Sequence, residues 1–112
     1  MTKKVVFHET ELNWLPHPQG VPGFEVKPLV EKPAIDTRIL LARATPGSEL
    51  GDHTHDTDDV FLVLDGSAKI HIDGYGTFDL KKGSVVHVPK MVVHRVFDVG
   101  EQGYVVLDIF VP

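Results

Sequence analysis

The sequence predicts an all-β chain, either a sandwich or a closed double-sheet roll, and three observations carry that prediction. Short apolar or alternating segments recur at regular spacing, glycine or proline turns separate them, and no window shows a helical period. Roughly nine or ten strands are expected on that pattern. At 112 residues, 42% hydrophobic and 24% charged, the chain suits one domain around one core.

The balance of charge narrows the partners. A formal net charge of −5 argues against an extended nucleic-acid or anionic-membrane surface, which clustered Lys and Arg would drive. No apolar run has the length a membrane helix requires. The chain has no cysteine, so disulfides, thiolate ligands and a cysteine nucleophile are excluded. The N-terminus has no signal-peptide core, so a cytoplasmic location is expected.

The elements follow in order. Val5, Val6 and Phe7 resemble an initiating strand. Pro16, Pro18, Gly20 and Pro22 then exclude a regular helix and favour an extended arm, in which Trp14 is expected to anchor by packing against the barrel or a neighbouring subunit. Phe24–Val30 and Thr37–Ala44 read as strands, the second with Arg38 and Arg43 at its ends around an apolar middle. Val60–Leu64 closes on Asp65 and Gly66, a turn signal, and Ala68–Ile72 closes on Asp73 and Gly74, so two successive hairpins are expected. Gly76–Leu80, Ser84–Val88, Val92–Phe97 and Tyr104–Val111 complete the set. Residues 1–36 are expected to form N-terminal strands and an arm, and 37–112 the barrel, within one structural domain.

The chemistry concentrates between Gly47 and Gly66, in GSELGDHTHDTDDVFLVLDG. In extended backbone His53 and His55 project to one side while Thr54 points away. Two imidazoles then converge, and a neighbouring carboxylate would add an oxygen donor. From Gly83 the chain reads GSVVHVPKMVVHRVFD, which presents a third imidazole, His94, from a strand just after a proline turn.

These two stretches resemble the paired motifs of the cupins. Gly47, His53, His55 and Gly66 stand at the places of the first motif, with Asp59 where glutamate is usual. Gly83, Pro89 and His94 stand at those of the second, with Met91 in place of a glycine and Asp98 in place of an asparagine. The resemblance covers about Thr37 to Val111. It implies a double-stranded β-helix, a jelly-roll cupin barrel with an N-terminal extended arm, and one divalent transition metal (Fe, Mn, Ni, Co, Cu or Zn) held by His53, His55, Asp59 and His94. Aspartate is one methylene shorter than glutamate, so a three-histidine site is the alternative, with a noncoordinating Asp59 as catalytic base. Asp56 and Asp58 are spare carboxylates, expected with Asp52 in a solvated acidic loop. Met91 lacks a glycine's freedom at positive φ, so its loop is expected to be shaped differently, with the thioether turned to the barrel mouth.

Phe61, Val63, Met91, Val96 and Phe110 are the expected substrate pocket. His8 and His17 are expected to be exposed, and His71 and His87 to lie outside the ligand set. The expected activity is that of a small metalloenzyme acting on an oxygen-chelating small molecule, with oxidative, dioxygenase-type cleavage first. A metal-dependent isomerase or lyase and a non-catalytic ligand- or metal-binding cupin are the alternatives. Similar cupins commonly dimerise through N-terminal strands, and Phe7, Trp14 and Phe24 give the segment Val5–Val26 apolar surface, so a homodimer is expected.

Overall fold

The structure, a computed structural model, describes residues 6–32 and 37–112. Among these, nine strands form: β1 (Leu15–Pro16), β2 (Phe24–Lys32), β3 (Thr37–Ala44), β4 (Leu50–His53), β5 (Asp58–Ile72), β6 (Gly76–Lys81), β7 (Val85–Val88), β8 (His94–Phe97) and β9 (Tyr104–Val111). All pairings are antiparallel, in the order β1-β2-β3-β9-β5-β8-β4, with β6 and β7 also on β5. The all-β expectation holds, and the arrangement is a curled double-stranded β-helix.

One strand belongs to both sheets. The first half of β5, through Gly66, pairs with β7 and β9; from Ser67 onward it pairs with β6, and from Lys69 also with β8. The register slips between Val63 and Asp65, and the buried set switches there from Asp59, Phe61 and Val63 to Ala68, Ile70 and Ile72. Such a bulge changes which alternate side chains face inward, which a strand must do to serve two sheets in succession. Gly66 makes this possible at φ 78°, because a β-carbon there would lie 2.0 Å from the Gly103 carbonyl oxygen. The hairpin turn expected at Asp65 and Gly66 is therefore not formed. The signal for positive φ was real, but β9 pairs across it and keeps the backbone extended. Ile70, Val63 and Val88 are the most deeply buried side chains, so the core centres on β5 and its neighbour β7.

The N-terminal region departs from expectation at its start. Val6 and Phe7 are exposed and form no strand; Val5 lies outside the described residues. Instead a single 3-10 turn, Glu9–Glu11, is capped by His8: Nδ1 of His8 accepts from the Thr10 amide and Glu11 accepts from the His8 amide. This turn is fastened to the sheet by Lys27, whose buried ammonium donates to the Glu9 carboxylate and, at 3.1 Å, to the Glu9 carbonyl. Trp14 packs on the same patch, with Arg43 4.0 Å and Lys27 4.8 Å from its ring centre. β2 hydrogen-bonds along its length to β3, which makes it a strand of the barrel sheet itself. No helix among the described residues is long and apolar enough to cross a membrane.

Candidate metal centre

The three histidines of the two motifs meet. His53 ends β4, His55 follows in the next loop, and His94 opens β8 directly opposite His53 in the ladder. Ring centres lie 4.1 Å apart for His53 and His94, 5.0 Å for His53 and His55, and 5.2 Å for His55 and His94. One ring nitrogen from each falls within 4.8 Å of the others. His94 is buried, and His53 and His55 are half-buried.

Two backbone carbonyls fix how the rings present themselves. Nδ1 of His53 donates to the Gly51 carbonyl at 2.7 Å, and Nδ1 of His94 donates to the Val92 carbonyl at 3.0 Å. A carbonyl oxygen only accepts, so both protons sit on Nδ1 and both Nε2 lone pairs are free. Metal-binding imidazoles are commonly set in this way. Burial also holds the His53 pKa down to about 4, against the opposing effect of its bond to Gly51 and with help from the neighbouring His94 and His55. Burial likewise lowers His55. His53 and His55 thus favour their neutral form, and the three-imidazole donor set fits a divalent transition ion.

Asp59 stands beside the triad. It projects inward from β5, 4% exposed, with Oδ2 3.8 Å from Nε2 of His55. Asp108, a residue the sequence reading missed, faces it from β9. The Oδ1 atom of each carboxyl is buried and receives no donor among the described residues. Burial, a hydrogen bond with Asp59 and the Asp59 charge push the Asp108 carboxyl well above the ordinary carboxylate range. The pair therefore retains a proton where a free aspartate would have lost it. Burial and the two carboxylates also raise the phenol of Tyr104 in the same wall.

Triad and carboxyls open into a cavity of about 260 Å³. Of the expected pocket residues, Phe61, Val96 and Phe110 line it, and the Phe110 ring sits edge-on to His55 with centres 5.0 Å apart. Val63 is sealed in the core and Met91 points outward, 65% exposed, so neither is part of the lining. Met91 also adopts the left-handed conformation that its side chain disfavours, at φ 66°. Its amide donates to the His55 carbonyl at 2.7 Å, which ties the proline turn to the loop that carries His55. Its expected lack of positive φ is thus corrected: this contact, with the side chain free in solvent, holds it there.

His17 was expected to be exposed; it is half-buried and lines the cavity, as do Gln19 and Arg38. Asp56 and Asp52 are solvated as expected. Asp58 instead accepts from the Lys90 amide and pairs with His87 Nε2, both at 2.9 Å, bracing β5 against the same proline turn. Asp98 is exposed, 3.7 Å from Lys69, and takes no part in the centre. His71 bonds Thr77 on the outer face.

Comparison with known proteins agrees with this geometry. The family model described as Cupin domain (Cupin_2) matches residues 40–110. The chain is 32% identical over 82 residues to Auxin-binding protein 1 of Arabidopsis thaliana, an alignment that takes in 66% of this chain but only 41% of that protein. A predicted oxalate decarboxylase from Thermotoga maritima superposes with a TM-score of 0.80 at 22% identity, covering 96% of this chain and 98% of that one. The polyketide cyclase RemF from Streptomyces resistomycificus gives 0.79 at 20% identity, covering 98% and 79%. The family match, spanning both histidine motifs and the strands between them, shows that this chain belongs to the cupins.

Proposed function

We propose that this protein is a small metal-dependent enzyme that moves a proton on an oxygen-bearing molecule bound at the three-histidine centre. The observation that carries the reading is the pairing of buried Asp59 with half-buried Asp108, which line the same cavity as the triad. His53, His55 and His94 would hold a divalent ion, with Asp59 either completing its shell or acting beside it, a reading supported by Asp59 Oδ2 lying 3.8 Å from His55 Nε2. When bound, such an ion would supply Lewis-acid polarisation of a substrate oxygen, which would acidify the adjacent C–H. Asp59 accepts the proton, Asp108 supplies or stores one, and the apolar walls keep water from competing. Isomerase, lyase or cyclase chemistry therefore suits the site better than the oxidative cleavage first expected, which has no need of a protonated carboxyl pair. The structural neighbours named as a cyclase and a predicted decarboxylase are in keeping with this.

The test uses cobalt(II)- or manganese-loaded protein in deuterated water with a panel of 2-oxo acids and 1,3-diketones. Exchange of the activated C–H, read by proton NMR without oxygen uptake, is the expected result. Asp59→Asn and Asp108→Asn should each slow exchange by about 10²- to 10⁴-fold. Oxygen uptake without exchange would return the reading to a dioxygenase. A ligand-capturing cupin, favoured by the identity to Auxin-binding protein 1, would show tight binding with no exchange at all.

We also propose a homodimer. Val6, Phe7, Leu15 and Val30 leave apolar surface exposed in the N-terminal segment and on β1 and β2. Light scattering at micromolar concentration checks this, and a monomeric mass would exclude it.

A further inference from the structure

Arg38, exposed at the edge of the cavity, is a cation with no ion-pair partner among the described residues. It lines the cavity from β3, opposite Phe110 in the ladder, with its guanidinium carbon 5.7 Å from the Phe110 ring centre. Two cations on the opposite face of this sheet are matched: Lys27 pairs with Glu9, and Arg43 with Glu25 at 2.8 Å. Arg38 has no carboxylate partner among the described residues, although the chain has sixteen acidic residues against eleven basic ones. His17 adds a directed neutral donor to the same cavity. Its Nδ1 accepts the Gln19 amide at 3.2 Å, so the neutral ring carries its proton on Nε2.

Arg38 and His55 both approach the Phe110 ring, the guanidinium carbon 5.7 Å and the imidazole centre 5.0 Å from its centre. We propose that the cavity takes a small carboxylate with an apolar body, its charge received by Arg38 and the Nε2–H of His17 and a second oxygen function directed to the triad. The apolar body packs against Phe110, the ring that Arg38 and His55 both approach. Guanidinium suits this role because it offers a planar, paired set of donors to a carboxylate. The substrate class rests on the metal-centre reading above, whereas the anion contact belongs to Arg38 and His17 alone.

The test compares 4-hydroxybenzoate with its uncharged isostere 4-hydroxybenzamide, by titration calorimetry on the full chain, both metal-free and loaded with zinc. The acid should bind about 10- to 100-fold more tightly than the amide, the scale of a hydrogen bond to a charged group. Raised salt should narrow the gap. Arg38→Met should erase the preference without altering zinc stoichiometry or melting temperature, Arg38→Lys should keep part of it, and His17→Phe should reduce it. Equal affinity for acid and amide, a preference that survives Arg38→Met, or no binding of the acid at millimolar concentration would each overturn the proposal. If zinc fails to bind while the metal-free chain still prefers the acid through Arg38, the metal-centre reading falls and the anion contact stands.

Discussion

Asp59 and Asp108 are diagonal neighbours on one face of the sheet, Asp59 lying opposite Phe110 and Asp108 opposite Phe61 in the β5–β9 ladder. Side chains so placed reach one another across a pair of strands. Because Asp108 holds its proton more tightly in the fold than in the unfolded chain, its contribution is greatest at low pH. It is lost as the pH rises through the ordinary carboxylate range toward the folded value.

Asp108→Asn should therefore stabilise the protein at neutral pH while removing its proton chemistry. The amide keeps the shape and donates to Asp59 without needing a proton from solution. The expected gain is about 1–2 kcal/mol, the scale of one unpaired buried polar atom. Thermal melts at pH 7 should show it, and melts near pH 3 should not. A variant less stable at both would deny that the two carboxyls compete.

Metal and acid should act on the fold through the same rings. Zinc or cobalt(II) at a hundredfold excess over its dissociation constant should stabilise the protein by about 2.7 kcal/mol, and His53→Ala or His94→Ala should abolish the shift. For the metal-free protein the sign runs the other way with acid. A histidine whose pKa falls from 6.5 to about 4 on folding costs nothing above about 6.5, and its penalty grows as the pH drops toward about 4. Urea unfolding across that window should show His53→Gln losing stability less steeply than the parent chain.

Much of this centre was legible because it is local. The spacing from Gly47 to His55 and from Gly83 to His94 places each imidazole within a few residues of the turn that aims it. What the sequence hid comes together only through pairing between distant strands. Asp108 meets Asp59 because β9 lies against β5, and Arg38 reaches the cavity because β3 lies against β9. A lone acid among the apolar residues of YVVLDIFV was the available signal. His17 sits in a proline-rich arm whose path no periodicity describes. The continuous course of β5 was hidden too, since Val60–Leu64 is apolar at every position and shows no parity to change, and an Asp-Gly pair between two apolar runs more often marks a hairpin.

Met91 offers a simple check on backbone strain. A side chain in the left-handed region costs about 1–2 kcal/mol, partly offset by the greater freedom a glycine has when unfolded. Met91→Gly should then raise stability by about 0.5–1 kcal/mol in denaturant titrations. Metal stoichiometry should not change, because the contact with His55 uses the Met91 amide and not its side chain.

The shared strand also decides where the chain can be lengthened. Short glycine–serine insertions at Asp73–Gly74 or Lys82–Gly83 fall in true turns between strands and should leave the protein folded. The same insertion at Asp65–Gly66, which reads in the sequence as an equally good loop, would separate the two halves of β5 and push Gly66 away from Gly103. A library carrying one insertion at each position, sorted for soluble expression, should be populated at the first two sites and empty at the third. For this barrel the safest places to graft a tag or a reporter are its outer hairpins, and the most turn-like dipeptide ahead of them is the one to leave intact.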